Sequence, residues 1–186
     1  MQTSDTSAAP GTSAVIVIDL QTGMFDGKLF EPIHQAGPLQ DKVRAVIAWA
    51  RDNKHPLCFI RHDAEAGDPL APDAPGWPVW PALGQRPDEP TFSKNVGDAF
   101  SQPALLEWLE AHGARKVILL GAQTDFCVAA TTDGALALGL DVSIIADAHS
   151  TWASDGQTAD EIIAKHNARF AAAGARVQTS EQLMGA

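Results

Sequence analysis

The chain is 186 residues long, with 45% hydrophobic and 19% charged residues, a length and balance that suit one folded domain burying roughly 70% of its unfolded surface. No apolar run approaches the ~20 residues that span a bilayer, which excludes a membrane-spanning helix. Thirteen Lys plus Arg against 23 Asp plus Glu give a formal charge of −10; phosphate backbones and anionic lipids are repelled, so neither nucleic acid nor a membrane is an expected partner.

The two cysteines, Cys58 and Cys127, are too few for a disulfide framework, and the opening residues carry neither a basic n-region nor an apolar h-region. The expected location is the cytoplasm, with reduced thiols. Residues 1–13 are small, polar and turn-prone, the composition of a flexible tail before a domain covering 14–186.

Residues 14–20 (AVIVIDL) form a continuous, β-branched apolar run, the pattern of a strand covered on both faces of a parallel sheet. Residues 39–53 place Val43, Val46, Ile47 and Ala50 on one face at helical spacing, and a short apolar strand follows at 56–60. The proline-rich stretch 61–90 has little periodicity and reads as a long irregular excursion, a kind of loop that is usually functional. An extended piece at 91–94 closes it. Thereafter the pattern alternates: helix 103–112, strand 116–121, helix 126–138, strand 141–146, helix 157–173, strand 176–179, with Gly139 and Gly174 placed as helix stops. Such alternation predicts a three-layer α/β/α sandwich on a mostly parallel, Rossmann-like sheet, with its ligand crevice outside the carboxyl ends of the strands.

Reactive side chains just after strands are therefore the ones to weigh. Asp19 closes the first strand; a carboxylate there must be paired or take up a proton, which suits an acid/base, or it caps the following turn. Arg61, His62 and Asp63 follow the second strand. Lys94 ends the third piece, where a solvated surface lysine is the plain alternative. Cys127 falls in the first turn of the helix at 126–138, where free N–H groups lower a thiol pKa; the alternative is a small buried hydrophobe, which is the reading for Cys58.

Three segments in order, Ile18-Asp19-Leu20-Gln21, Thr91-Phe92-Ser93-Lys94 with Asp98-Ala99-Phe100, and Gly121-Ala122-Gln123-Thr124-Asp125-Phe126-Cys127-Val128 with Thr131-Thr132, together with 139–148 (GLDVSIIADA), resemble the isochorismatase-like cysteine hydrolases. The resemblance implies a six-stranded parallel sheet, a catalytic Asp19-Lys94-Cys127 set, and a cis peptide at Ala122–Gln123. It also implies an oxyanion hole from the N–H groups of Gln123 and Cys127, and hydrolysis of a small amide-type C–N bond through a thioester. Within that family, nicotinamidases carry a metal site with an Asp-Trp-His signature after strand two. Here the region reads Arg61-His62-Asp63-Ala64-Glu65, with one histidine, so neither a metal, nor any other cofactor, nor nicotinamide is expected. True isochorismatases lack the cysteine, so Cys127 argues against vinyl-ether cleavage.

Phe25, His62, Trp77, Trp80, Thr124 and His149 are the residues expected to wall the pocket, with Trp152 at its rim; for Trp80, packing of the proline-rich loop is the favoured alternative. Two rival readings are a Cys–His hydrolase using His62 or His149, and a non-catalytic protein that binds a small metabolite. The helix 103–112 and the loop 76–81 offer enough apolar surface to suggest a homo-oligomer.

Overall fold

The computed structural model describes residues 12–185; most of the expected N-terminal tail, 1–11, lies outside them, while Thr12 and Ser13 already belong to the first strand. The elements in order are β1 (Thr12–Ile18), α1 (Ala36–Asp52), β2 (Leu57–His62), β3 (Thr91–Lys94), α2 (Pro103–Ala111), β4 (Ala114–Ala122), α3 (Ala129–Ala137), β5 (Asp141–Ser150), α4 (Ala159–Ala172), β6 (Arg176–Gln178) and α5 (Ser180–Met184). All five strand pairings are parallel, in the order β3-β2-β1-β4-β5-β6.

The two faces of β1 explain the layers. Ala14, Ile16 and Ile18 pack with Leu105 and Leu109 of α2, Ala129 and Ala135 of α3 and Phe170 of α4. Val15 and Val17 pack with Leu39, Val43, Val46, Ile47 and Ala50 of α1 and Leu183 of α5. Residues 14–18 are at most 1% exposed, as a strand covered on both sides must be. The helix starts follow local chemistry: Pro103 occupies the first turn of α2, where its missing N–H costs nothing, and Thr158 and Glu161 close a reciprocal capping box ahead of α4.

In this strand order the direction of winding reverses between β1 and β4, and the crevice outside their carboxyl ends is the usual ligand position. Four elements run past their expected ends. β2 extends through Arg61 and His62, β4 runs from Ala114 to Ala122, α1 starts at Ala36, and β5 continues to Ser150. His149 therefore lies inside a strand and not after one. The segment 124–128 winds as a π-helical turn ahead of α3, and α5 carries no strong period in its five residues, which is why the sequence hides it. The 61–90 excursion is irregular but tied down: Thr22 and Gly23 donate to the carbonyls of Pro78 and Gly76, and Gln21 bridges Val79.

Candidate active site

Three parallel strands deliver the reactive side chains to one point. Asp19 follows β1 with a left-handed φ of 49°, a conformation that aspartate tolerates better than most residues and that clusters at functional sites. Lys94, the last residue of β3, is 2% exposed. Its Nζ donates to Asp19 Oδ2 at 2.7 Å and to Cys127 Sγ at 3.2 Å, and stands 3.5 Å from His62 Nδ1. The ammonium's three hydrogens thus meet a carboxylate, a thiol and an imidazole, and a solvated surface lysine is not what the fold makes of Lys94. The second carboxylate oxygen, Asp19 Oδ1, is buried without a partner.

One ligand atom each from Asp19, His62 and Cys127 lie within 4.8 Å of one another, a grouping that could hold a cation. The cation that the three share in this arrangement is the Lys94 ammonium. Burial pushes the Cys127 thiol up to about 12, the Asp19 carboxylate adding to the rise and Lys94 opposing it. This runs opposite to the lowering expected from the helix start: desolvation and a neighbouring anion both push the thiol up. Burial likewise raises Cys58, deep in β2.

Close approach of β1 and β4 brings the acid to the thiol. Gly121 pairs with Ile18, the residue before Asp19; at its φ of +131° a Cβ would collide with the Ile18 carbonyl oxygen. The next peptide bond, Ala122–Gln123, is cis. Gln123 and His62 line a cleft of about 500 Å³ whose apolar walls include Met24, Phe30, Leu70 and Trp152. Phe30 and Trp152 sit with ring centroids 6.3 Å apart.

Of the six residues expected to wall this cleft, His62 does so and the other five are engaged elsewhere. Phe25 stacks on Trp80 at 5.3 Å, and the Trp80 indole donates to Gln40; Trp80 packs the loop, as its alternative reading had it. Trp77 donates to Asp63 and carries the Arg61 guanidinium 3.5 Å over its ring. Thr124 is fully buried and sits 2.8 Å from His149 Nδ1 through its hydroxyl, while His149 Nε2 faces Asn167 Oδ1 at 2.9 Å. Burial pushes His149 down to about 4, and with its ring nitrogens taken up by Thr124 and Asn167 it braces β5 against α4, away from Cys127.

Gln21 is the residue that sequence reasoning passed over. Fully buried, it accepts from the His62 N–H and donates to the His62 carbonyl, both at 3.0 Å, and donates again to the Trp77 carbonyl at 2.8 Å. It thereby fixes the end of β2 against the turn that holds Asp19. A buried amide two residues after a strand-ending acid was the available signal. Phe30 and Glu31 were missed because residues 25–35 carry no period.

A streptothricin hydrolase from Streptomyces noursei is 32% identical over 139 residues, covering 75% of this chain and 50% of that protein; the chain spans about half the length of the curated relatives it matches first. An isochorismatase-like hydrolase from Alkaliphilus metalliredigens superposes with a TM-score of 0.84 at 20% identity, covering 96% of this chain and 97% of the other. A cysteine hydrolase from Pseudomonas syringae pv. phaseolicola gives 0.82 at 18% identity, with 96% and 97% covered; both likenesses concern the fold. No helix among the described residues is long and apolar enough to cross a membrane. The isochorismatase domain profile matches residues 13–182, nearly the whole sheet and every residue of the cluster around Lys94, and the chain accordingly belongs to the isochorismatase family.

Proposed function

We propose that the protein is a cysteine-dependent hydrolase of small amide-type C–N bonds, with Cys127 as nucleophile, Asp19 as acid/base and Lys94 as the charge between them. The observation that carries this reading is the contact of Lys94 Nζ with both Asp19 Oδ2 and Cys127 Sγ beside a cleft of substrate size. The streptothricin hydrolases among its relatives support hydrolysis in general. As the thiol attacks the carbonyl carbon, its proton passes to Asp19, whose unpartnered Oδ1 is free to receive it, and the C–S bond forms. The N–H groups of Gln123 and Cys127 are assigned to the developing oxyanion. Asp19 then returns the proton to the leaving nitrogen, the C–N bond breaks, and an amine or ammonia departs, leaving a thioester. Water, deprotonated by Asp19, attacks the thioester; the acid leaves and the thiol is restored.

The test is a screen for ammonia or amine release over primary amides, ureides, carbamoyl compounds and cyclic amides, with intact-mass detection of an acyl adduct on Cys127. Hydrolysis with no adduct under rapid quench, and none on hydroxylamine trapping, would refute the thioester. Because an ammonium already fills the centre of the Asp19-His62-Cys127 group, turnover is expected to survive exhaustive chelation. Activity lost to chelator and restored by zinc would overturn that assignment.

The apolar surface first offered for self-association is spent inside the molecule: Leu105 and Leu109 are buried and Trp108 packs edge-on against Phe92. Among the described residues, Phe126 and Val96, 59% and 49% exposed, lead the large apolar side chains that remain for a homo-oligomer, followed by Leu29, Leu138, Phe30 and Met184. Light scattering at micromolar concentration is expected to give a mass above that of a single chain, and the 19.6 kDa of one chain would remove the proposal.

A further inference from the structure

The chemistry of the cleft walls bears on what the amide is attached to. Two carboxylate residues, Glu31 and Asp68, line the cleft, and His62 is the one other titratable residue among its walls. Lys94 does not offset them, because its charge is matched by Asp19 at 2.7 Å. Arg61 does not either: it lies over Trp77 and 3.8 Å from Asp63. Asp68 is also shared with an open groove of about 780 Å³ that runs on from the cleft. There Asp26 and Asp73 face a single cation, Lys28. The cleft and the groove that meets it at Asp68 thus each carry more carboxylates than cations, and the Phe30–Trp152 aromatic pair lines the cleft.

Resting on the hydrolase reading, we infer that the substrate is an amide bearing a positively charged substituent, with the scissile carbonyl at Cys127 and the cationic part between Glu31, Asp68 and the aromatic pair. A carboxylate-bearing amide would meet like charges in both the groove and the cleft, whereas an ammonium gains from both carboxylates of the cleft and from the faces of Phe30 and Trp152. A carboxylate separated by about 7 Å from a cation through water changes binding by only a small factor, so two together give a preference of about five- to tenfold at low ionic strength that shrinks with added salt.

The test reads binding apart from turnover. N-(2-trimethylammonioethyl)acetamide and its neutral isostere N-(3,3-dimethylbutyl)acetamide are titrated calorimetrically into the intact protein at 20 °C over a series of salt concentrations. The cationic amide is expected to bind about five- to tenfold tighter at low salt. In the Glu31→Gln/Asp68→Asn double variant that ratio is expected to fall to within twofold of one. Asp141→Asn, which removes a charge at the amino end of β5, the end of the sheet away from the crevice, is expected to leave the ratio as in the parent. Equal affinities, a ratio that survives the double variant, an equal fall in Asp141→Asn, or no binding of either amide would overturn the inference. None of these outcomes touches the acyl adduct on Cys127, so the two readings fail separately.

Discussion

Replacing Cys127 by alanine is expected to abolish hydrolysis while leaving the protein folded. Cys127 supplies the sulfur contacted by Lys94, and losing the nucleophile of an acyl-transfer site costs on the order of 10⁴-fold or more. The side chain is partly buried against the core, and alanine keeps its Cβ, so a melting temperature within a few degrees of the parent is expected. Turnover above a tenth of the parent value in the alanine variant, measured on any substrate from the screen, would end the covalent mechanism.

Replacing Asp19 by asparagine separates reactivity from catalysis. An amide cannot accept the thiol proton or return it to a leaving nitrogen, so turnover is expected to drop by ~10²–10⁴-fold. The thiol itself should become more acidic, because the Asp19 carboxylate is one of the groups that raises it. Alkylation of Cys127 followed against pH is therefore expected to shift to lower pH in Asp19→Asn, and to higher pH in Lys94→Ala, where the opposing ammonium is lost. A thiol that is easier to alkylate in an enzyme that no longer turns over is the signature of Asp19 as the proton carrier. If His62 were the base, as in the Cys–His reading, turnover would survive. The variant carries a stability penalty as well: Lys94 and Asp19 are almost wholly buried, and removing one partner of such a pair costs roughly 3–5 kcal/mol. Circular dichroism at the assay temperature confirms that the protein assayed is folded.

The strands were legible because both-face burial demands unbroken apolar runs, and residues 14–18 and 117–120 have them. The helix of α1 was legible for the complementary reason, its buried residues falling at helical spacing. What the sequence hid were features decided by partners distant in the chain. His149 reads like a rim residue, since polar residues after a hydrophobic run signal a strand end; in the fold the strand continues, His149 and Ser150 pairing with Gly121 and Ala122 of β4 while Asn167, from α4, meets the ring. Trp77 reads like a pocket wall until Arg61 is seen to cover it. The cluster around Lys94 was reachable through the three matching segments, while local sequence alone left a surface lysine as the plain reading. The raised thiol was not reachable, because it depends on how deeply the π-helical turn sets Cys127 beside a carboxylate 108 positions earlier in the chain.

The contact between Gly121 and Ile18 sets a limit on how this protein can change over generations. Since a Cβ at 121 would collide with backbone, the spacing between the strand that presents the acid and the strand that leads to the thiol is fixed by main chain against main chain, with no side chain between them to be repacked. Hydrophobic residues elsewhere in the two core layers can then be exchanged for others of similar volume without altering that spacing. Drift in the core and constancy of the geometry between Asp19 and Cys127 are compatible here, and the position that cannot drift is the one with no side chain at all.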